Sequence, residues 1–336
     1  MDLALSSEQL DLRSGLSRFL AAECPPAALR QPAGCAAHRE LWTHLSELGA
    51  MEVVADGEPT EDSFGLVTAM LVAEELGYAA FPGPWIEHAV VAASTLAGAR
   101  RDVDQLLDPG SVVTTALPGQ GGLPWPSMAD AVLLGQPEGS ALQLVLRKDI
   151  DGCEAAAALD PSRPVMTCPR LRSGGAAQVV FTADVGRLVD LGSMAAAAQL
   201  VGLGRRMLDI TVPYVLQRKQ FGRQIGSFQA VQHLLADART ALEYARPLPY
   251  VAAASAEANL SRFPIRAAIA KAKASAAAET IARACLQCHG AMGYSEEYDL
   301  QLYMRRAWAL ARSWRSTSEA RARVADLLRK ESGDYA

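Results

Sequence analysis

The sequence has little aromatic character and few cysteines or histidines for its length. Its 336 residues include six cysteines and five histidines, and 6% are aromatic. A disulfide framework is not expected, and Cys24, Cys35, Cys153 and Cys168 are predicted to be small buried hydrophobic residues. No apolar run approaches the roughly eighteen residues of a membrane span, and the chain does not open on a cationic, apolar leader. We therefore expect a soluble, cytoplasmic protein that does not associate with membranes.

Acidic residues outnumber basic ones, 37 to 32. The formal net charge is −5, whereas a nucleic-acid-binding protein shows a basic footprint. We therefore expect no nucleic-acid partner. Half of the residues are hydrophobic, which is ample for a large core, and the length predicts about two domains.

Residues 1–108 are predicted to form a helical domain. Ser6 and Gln9 fit a capping box, and apolar residues then recur at helical spacing. A second helix should stop near Gly49, and a third, over residues 66–76, should end at Gly77.

Residues 109–185 differ from the preceding residues in composition and in the spacing of their apolar residues. Glycine and proline cluster between residues 118 and 126. Short apolar runs at 131–134, 142–146 and 178–181 are bounded by turn residues. This pattern is typical of strands, so a small β domain is predicted.

Residues 186–336 are rich in alanine and are predicted to form a four-helix bundle. The expected helices cover residues 187–218, 228–260, 264–289 and 298–331. Pro213 should kink the first helix, and Pro247 and Pro249 should interrupt the second. The predicted fold class is α+β and mainly α.

A group of residues suited to binding lies between the first two bundle helices. Arg218 carries a guanidinium fork that matches two phosphate oxygens at once. Gly222 and Gly226 permit tight turns close to a ligand. Gln229 opens a helix, whose free N–H groups favour anions, and Phe221 could pack on a flat ring. The pattern favours a phosphate-bearing cofactor, although a helix-capping arginine and a core phenylalanine fit the composition as well.

The order of these residues resembles the acyl-CoA dehydrogenase family, flavoenzymes that introduce a double bond next to a thioester. The matching blocks are Arg218-Lys-Gln-Phe-Gly with Phe228-Gln-Ala-Val-Gln, and Gln287-Cys-His-Gly-Ala-Met-Gly-Tyr. The second block has Ala291 where the family has a glycine. Asp160-Pro-Ser-Arg-Pro is a weaker match in the β domain. The resemblance spans most of the chain and implies a helical domain, a β domain and a helical bundle, with FAD bound between subunits.

The resemblance implies roles for five residues. In the family, the equivalents of these residues reach the ADP half of a neighbouring subunit's FAD. They are Arg218, Phe221, Gln229, Gln287 and Gly290. It also implies an acyl-CoA substrate.

The catalytic base of the family is missing from its expected places. That base is normally a glutamate nine residues after an arginine like Arg305, and counting places Trp314 there, or Arg315 with one slip. Other members carry the base on the first bundle helix, where Gly192 stands here. Asp190 is two residues away and should project from the opposite side of the helix. We therefore predict no catalytic residue and no metal ligand in this chain.

The missing and the retained family segments differ in which subunit's FAD they would contact. The family's middle-domain segment that holds flavin within one subunit is not found, so the β domain is expected to be shortened, whereas the segments that reach a neighbour are kept. This resembles the degenerate small subunit of heteromeric, α2β2 acyl-CoA dehydrogenases of bacterial steroid side-chain degradation. The hypothesis is a subunit that needs a larger homologous partner. A homomeric enzyme with an unrecognised base and a non-catalytic scaffold remain as alternatives.

Two other motifs in the sequence suggest alternative functions. Cys285-Leu-Gln-Cys288-His289 matches a c-type haem attachment pattern or half a zinc site, but it falls in a predicted helix without further clustered ligands. Gly202-Leu-Gly204 lacks the strand and third glycine of a dinucleotide fingerprint. Close helix packing is the preferred interpretation of these glycines.

The C-terminal segment is rich in arginine, which usually indicates a solvated basic face. An alternative is that these side chains bind CoA phosphates or an acidic partner. The arginines are at positions 305, 306, 312, 315, 321 and 323. Glu319 is predicted to form a surface ion pair with Arg315, and Arg306 replaces the family's usual acid, which leaves its local pairing in doubt.

Overall fold

The structure is a computed structural model, which describes residues 5–51, 65–96, 110–135, 141–150, 152–167 and 179–333. Its N-terminal part is helical. The helices are α1 (Ser7–Glu23), α2 (Ala36–Glu47), α3 (Gly65–Ala79), a π-helical segment (Ile86–Ala92) and α4 (Ala93–Leu96).

Local sequence signals fix the ends of the first two helices. Ser6 and Gln9 cap α1 reciprocally, so the predicted capping box is confirmed. Gly49 takes a left-handed φ of +72° just after α2, which confirms the predicted stop.

Gly77 does not end a helix, because α3 continues to Ala79. A Cβ at Gly77 would lie 2.2 Å from the carbonyl oxygen of Gln199, and a Cβ at Gly202 would lie 1.9 Å from that of Glu74. Both glycines therefore let two helices approach closely. The predicted stop at Gly77 is wrong, and the packing interpretation of Gly202 is confirmed.

The β domain contains two small sheets. Its strands are β1 (Val113–Ala116), β2 (Leu123–Pro124), β3 (Ala131–Gly135), β4 (Ala141–Leu146), β5 (Glu154–Ala155), β6 (Val165–Thr167) and β7 (Val179–Thr182). One sheet has the order β1-β3-β4-β7 and the other the order β2-β6-β5. The apolar runs predicted as strands thus become β3, β4 and β7.

The C-terminal part is a bundle of long helices. They are α5 (Val185–Gln217), α6 (Gln229–Ala245), α7 (Pro247–Glu257), α8 (Phe263–His289), α9 (Leu300–Arg312) and α10 (Thr317–Gly333). A hydrophobic core runs continuously from α1 into this bundle. The predicted fold class is confirmed, and the exact domain boundaries stay a prediction.

The prolines act partly as expected. The second predicted helix is divided at Arg246, just before Pro247, which occupies the first turn of α7. Pro213 lies within α5, which continues to Gln217, and the expected kink stays a prediction.

The helix predicted over 298–331 is wrong, because it is broken between α9 and α10. Trp314 and Arg315 have left-handed φ angles of +53° and +67°. Ser316 and Glu319 then form a capping box that starts α10. We call residues 313–316 the Trp314 segment.

Candidate functional site

A two-residue turn presents Phe221 to solvent at one end of the bundle. Strands β8 (Lys219–Gln220) and β9 (Arg223–Gln224) pair antiparallel, and the backbone N–H of Ile225 donates to the Arg218 carbonyl at 2.8 Å. Phe221 and Gly222 both have positive φ, +52° and +79°, as a type I′ turn requires. Phenylalanine is unfavourable in that conformation, and its side chain is 93% exposed. Packing of this side chain in the core therefore does not compensate for the backbone strain.

Arg218 stands at the base of this turn, directly after α5. Its side chain is exposed, and it forms no ion pair with a carboxylate in the described part of the chain. A guanidinium without a local partner is available to bind an external anion.

The next helix begins beside the turn. Gln229 is the first residue of α6 and is exposed, and Phe228 supplies no side-chain cap. The Arg223 guanidinium lies 4.0 Å from the centroid of the Phe228 ring. The first N–H groups of α6 therefore remain open to an anion.

The second predicted block lies at the same end of the bundle. The ring of Tyr214, in the last turn of α5, stacks on His289 with centroids 4.1 Å apart. Gly290 follows His289 with a φ of +58°, and both Gly290 and Gln287 are exposed. The contact thus places the end of α8 beside the helix end that carries Arg218.

These residues suit the ADP half of a dinucleotide. An unpaired guanidinium, an exposed aromatic ring and an open helix N-terminus are the groups that bind phosphates and flat rings. All five predicted cofactor residues are exposed at the bundle end, and the single chain does not enclose the space in front of them. The donor set fits the phosphates and flat rings of a dinucleotide such as FAD.

The two positions counted for the catalytic base meet in the core. Trp314 is fully buried. A Cβ built at Gly192 would lie 2.2 Å from Cε3 of the Trp314 ring, so the indole covers Gly192 completely. Neither position carries a carboxylate. The Trp314 indole packs directly against the backbone of Gly192.

Neighbouring elements hold the Trp314 segment in its left-handed conformation. The Ser193 hydroxyl donates to the Trp314 carbonyl at 2.8 Å. The Arg315 N–H donates to the Gly119 carbonyl at 2.8 Å. Bonds from α5 and from the β domain thus stabilise a backbone that would otherwise be strained.

Asp190 lies next to this segment and is buried between two arginines. Its carboxylate accepts a bond from Arg315 and lies 3.6 Å from Arg323. Burial raises the pKa of Asp190, an effect that the arginines oppose. The predicted ion pair between Glu319 and Arg315 is wrong, because Glu319 binds Ser316 and Arg315 binds Asp190. With two cations on its carboxylate, Asp190 is poorly placed to act as a base.

Two buried ionisable groups near this segment are not predicted by the sequence patterns. Glu87, in the π-helical segment, has its pKa raised by burial and pairs with Arg163 at 3.6 Å. Lys271 in α8 is fully buried and donates to Ser275 Oγ and to the Ala311 carbonyl, each at 3.0 Å. The signal for burial of Lys271 is the set of alanines at positions 267, 268 and 274, which share a helix face with it.

The arginine-rich segment is not one solvated face. Arg306 is buried, and its guanidinium binds Asp160 and the carbonyl oxygens of Ala80 and Phe81 at 3.0 Å. It also donates to Ser162 Oγ at 2.9 Å. The prediction of a basic stripe is therefore wrong at Arg306 and at Arg315. Arg306 does have an acidic partner, Asp160, which is distant from it in sequence.

The cysteine motif lies inside α8, as predicted. Cys285 and Cys288 are buried, and burial raises the pKa of the Cys285 thiol to about 12. His289 binds the Cys285 carbonyl at 2.8 Å. Within the described ranges, no group of three or more potential ligands could hold a metal ion. Among the other cysteines, Cys153 is disulfide-bonded, so the expectation of a free buried cysteine is wrong there.

Comparison with known proteins agrees with this architecture. The family models for the acyl-CoA dehydrogenase N-terminal and C-terminal domains match residues 6–100 and 184–321. The acyl-CoA dehydrogenase IpdE2 of Mycobacterium tuberculosis is 31% identical over 324 residues, which cover 94% of this chain and 96% of that protein. The chain belongs to the acyl-CoA dehydrogenase family, whose cofactor is FAD.

Solved structures show the same fold. One chain of the ChsE4–ChsE5 complex from Mycobacterium tuberculosis superposes with a TM-score of 0.80 at 24% identity, covering 99% of both chains. A chain of the Tcur3481–Tcur3483 steroid ACAD superposes with a TM-score of 0.79 at 23% identity, covering 97% of this chain and 99% of that one. Among the helices described here, none has the length and apolar character to cross a bilayer.

Proposed function

We propose that this chain is a subunit of a heteromeric acyl-CoA dehydrogenase that helps to bind FAD but supplies no base. The partner is a larger homologous subunit, in an α2β2 assembly. The reaction of the assembly is α,β-dehydrogenation of an acyl-CoA thioester. Both chains are needed for a complete site.

The observation that carries this proposal is the contact between Trp314 and Gly192. The indole occupies the space beside both positions where the family places its base, and a Cβ at Gly192 would overlap it at 2.2 Å. The nearest carboxylate on that helix, Asp190, is held by two arginines. This packing supports the proposal that the chain supplies no base at either position.

The residues kept by this chain have a binding role. Arg218 would pair with cofactor phosphate, and the N–H groups at the start of α6, near Gln229, would add hydrogen bonds. Phe221 would cover a flat ring, and Gln287 and Gly290 would form the adjoining wall. When bound, FAD supplies a hydride acceptor for the β-carbon. The α-proton must pass to a carboxylate of the partner.

A bulky acyl group, such as a steroid side chain joined to CoA, is the proposed substrate class. Its support is the similarity to the steroid ACAD structure and the resemblance noted in the sequence. The share of the family's β domain that is expected to be missing would leave room for such a substrate.

The proposal is tested by measuring FAD in the chain alone and in a co-purified complex with its partner. We expect flavin only in the complex. Arg218→Ala should weaken FAD retention by the complex tenfold or more, because a charged bond to phosphate is lost. Arg239→Ala removes an exposed arginine of α6 that pairs with Glu243, and it should leave FAD retention unchanged.

Two results would separate the alternatives. A yellow, active preparation of this chain alone would favour a homomeric enzyme with an unrecognised base. An Arg218→Ala complex with full FAD content would favour a scaffold that stabilises its partner.

A further inference from the structure

The histidine of the cysteine motif is not among the proposed FAD contacts. His289 is the last residue of α8, and its side chain is 4% exposed. Its Nδ1 atom lies 2.8 Å from the Cys285 carbonyl oxygen, and its Nε2 atom lies 3.1 Å from the Tyr298 hydroxyl. Both ring nitrogens therefore have hydrogen-bond partners within the protein, and the ring has no nitrogen left to bind a haem iron or a zinc ion.

The partners of His289 define its protonation state. A carbonyl oxygen can only accept a hydrogen bond, so Nδ1 carries a hydrogen. Burial lowers the pKa of His289, so the ring is neutral and Nε2 accepts from the Tyr298 hydroxyl. Burial also raises the pKa of Tyr298, which keeps that hydroxyl protonated and able to donate. The two hydrogen bonds fix the plane of the imidazole ring.

The imidazole ring of His289 supports the last turn of α5. The Tyr214 ring stacks on it with centroids 4.1 Å apart and an angle of 22° between the two planes. The Tyr298 ring packs edge-on against Tyr214, with centroids 6.2 Å apart. Stacked and edge-to-face contacts are the arrangements that aromatic rings prefer. Tyr214 is thus held by one ring at the end of α8 and by a second ring just before α9.

The backbone of Tyr214 carries this support to Arg218. The Arg218 N–H donates to the Tyr214 carbonyl at 2.8 Å, and the Arg218 carbonyl accepts from the Ile225 N–H at the same distance. The Arg218 side chain is exposed and forms no ion pair with the residues that the structure describes. Its position therefore depends on the backbone that Tyr214 and His289 hold.

We propose that His289 is a positioning residue for Arg218 and acts through its stack with Tyr214. This inference rests on the proposed role of Arg218 in binding FAD. Without a ring at position 289, the last turn of α5 would lose its support, and the guanidinium would be held less precisely towards the cofactor phosphate. FAD would then leave the complex faster, although His289 itself makes no contact with it.

The test is the rate of FAD release from the purified complex of this chain with its partner, loaded with excess FAD and followed by flavin fluorescence. We expect His289→Leu, which removes the aromatic ring, to speed release at least threefold. His289→Phe keeps a ring against Tyr214, so its release rate should stay within twofold of the wild-type rate.

His88→Leu is the matched control. His88 also contacts an aromatic ring, that of Trp42 with centroids 5.3 Å apart, and its Nδ1 atom accepts from the Val113 N–H. It lies in the π-helical segment instead of the bundle. Its replacement removes a comparable set of contacts, and FAD release should stay within twofold of the wild-type rate.

A double variant tests whether His289 acts through Arg218. Arg218→Ala already removes the group that His289 positions, so adding His289→Leu to it should speed release by less than twofold more. Effects that multiply would mean that His289 acts elsewhere, and they would overturn the proposal. Release from His289→Phe as fast as from His289→Leu would overturn it too, because the ring would then not be the positioning group.

Tyr214→Leu keeps the test decisive if His289→Leu fails to fold. It removes the same stack from a half-buried position and should speed FAD release by a similar factor. Urea unfolding and gel filtration report whether each variant is folded and still in the complex. Wild-type release from a folded Tyr214→Leu or His289→Leu complex, beside fast release from Arg218→Ala, would refute this inference alone. Wild-type release from Arg218→Ala would refute the proposed role of Arg218 as well.

Discussion

At Gly192 a single hydrogen atom decides whether the Trp314 indole fits. Any β-carbon would overlap the indole, whose Cε3 atom lies 2.2 Å from the ideal Cβ position. Gly192→Ala should therefore lower the free energy of unfolding by about 1–3 kcal/mol, as overpacking of a core does. Urea unfolding monitored by circular dichroism measures this change.

Gly15 provides the matched control for this exchange. It lies inside α1, and a Cβ there would meet nothing within 4 Å. Gly15→Ala should stabilise the chain by up to about 1 kcal/mol, because alanine is the better helix former. Equal effects of the two substitutions would contradict the tight contact at Gly192.

Lys271 gives the chain a distinctive pH dependence. Burial lowers the pKa of Lys271 from 10.5 to about 7. Between these values the unfolded chain binds more protons than the folded chain, so the free energy of unfolding should rise with pH from about 7 to 10.5. Below about pH 7 Lys271 is protonated in both states, so it no longer makes the free energy of unfolding depend on pH. At about 1.4 kcal/mol per pKa unit, the rise amounts to a few kcal/mol.

The measurement is urea unfolding of the wild-type chain and of Lys271→Met at several pH values between 7 and 10. The rise attributed to Lys271 should be absent from the variant. Lys273→Met, an exposed lysine on the same helix, should keep the wild-type slope. Parallel pH curves for the wild type and Lys271→Met would refute the assignment.

At the scale of one element, the β8–β9 turn holds an exposed phenylalanine in a strained backbone conformation, and the proposed reason is binding of FAD. Phe221 has a φ of +52° and is 93% exposed, and asparagine tolerates that conformation far better. Phe221→Asn should leave the stability of the chain unchanged or raise it by up to about 1 kcal/mol. In a complex with the partner, the same change should speed the release of FAD, followed by flavin fluorescence.

The comparison for this element is Tyr244→Asn. Tyr244 is also an exposed aromatic residue, at 77%, but it lies on α6 away from the turn. Its replacement should not affect FAD release. A loss of chain stability in Phe221→Asn, with FAD release unchanged, would mean that the ring has a structural role instead.

Elements defined by local patterns could be predicted from the sequence, and those defined by distant contacts could not. The capping box at Ser6 and the bundle helix ending at His289 follow from residues near in sequence. Gly77 was misread because the close approach that requires it comes from a helix far along the chain. The break at Trp314 has no glycine or proline to signal it, since its left-handed backbone is held by Ser193 and Gly119.

The same distinction applies to the candidate site. Arg218 and its companions are predicted from their order along the chain, and their role in binding FAD stays a prediction. Counting along the chain identifies Trp314 and Gly192 as the two positions for the base. Their contact cannot be predicted in this way, because it depends on how α5 packs against the Trp314 segment. Lys271 and Glu87 were missed because burial of a single charge depends on the surrounding helices.

At the scale of the whole molecule, Arg306 connects three parts of the chain. From α9 it binds Asp160 and Ser162 of the β domain and the carbonyl oxygens that follow α3. Burial alone would raise the pKa of Asp160, but Arg306 and the Ser162 bonds leave it lowered. Its contribution to stability is therefore present above the carboxyl's ordinary pKa and is lost as pH falls. One buried ion pair thus couples the parts into a unit.

Asp160→Asn tests this coupling. The substitution leaves the Arg306 charge buried beside a neutral amide, and removing one partner of a buried pair costs about 3–5 kcal/mol. We expect a loss of that size in urea unfolding at pH 7. Glu243→Gln breaks an exposed pair with Arg239 and should cost less than about 1 kcal/mol. A small loss for Asp160→Asn would mean that water or another group compensates Arg306, and that the three parts are held together by their apolar contacts instead.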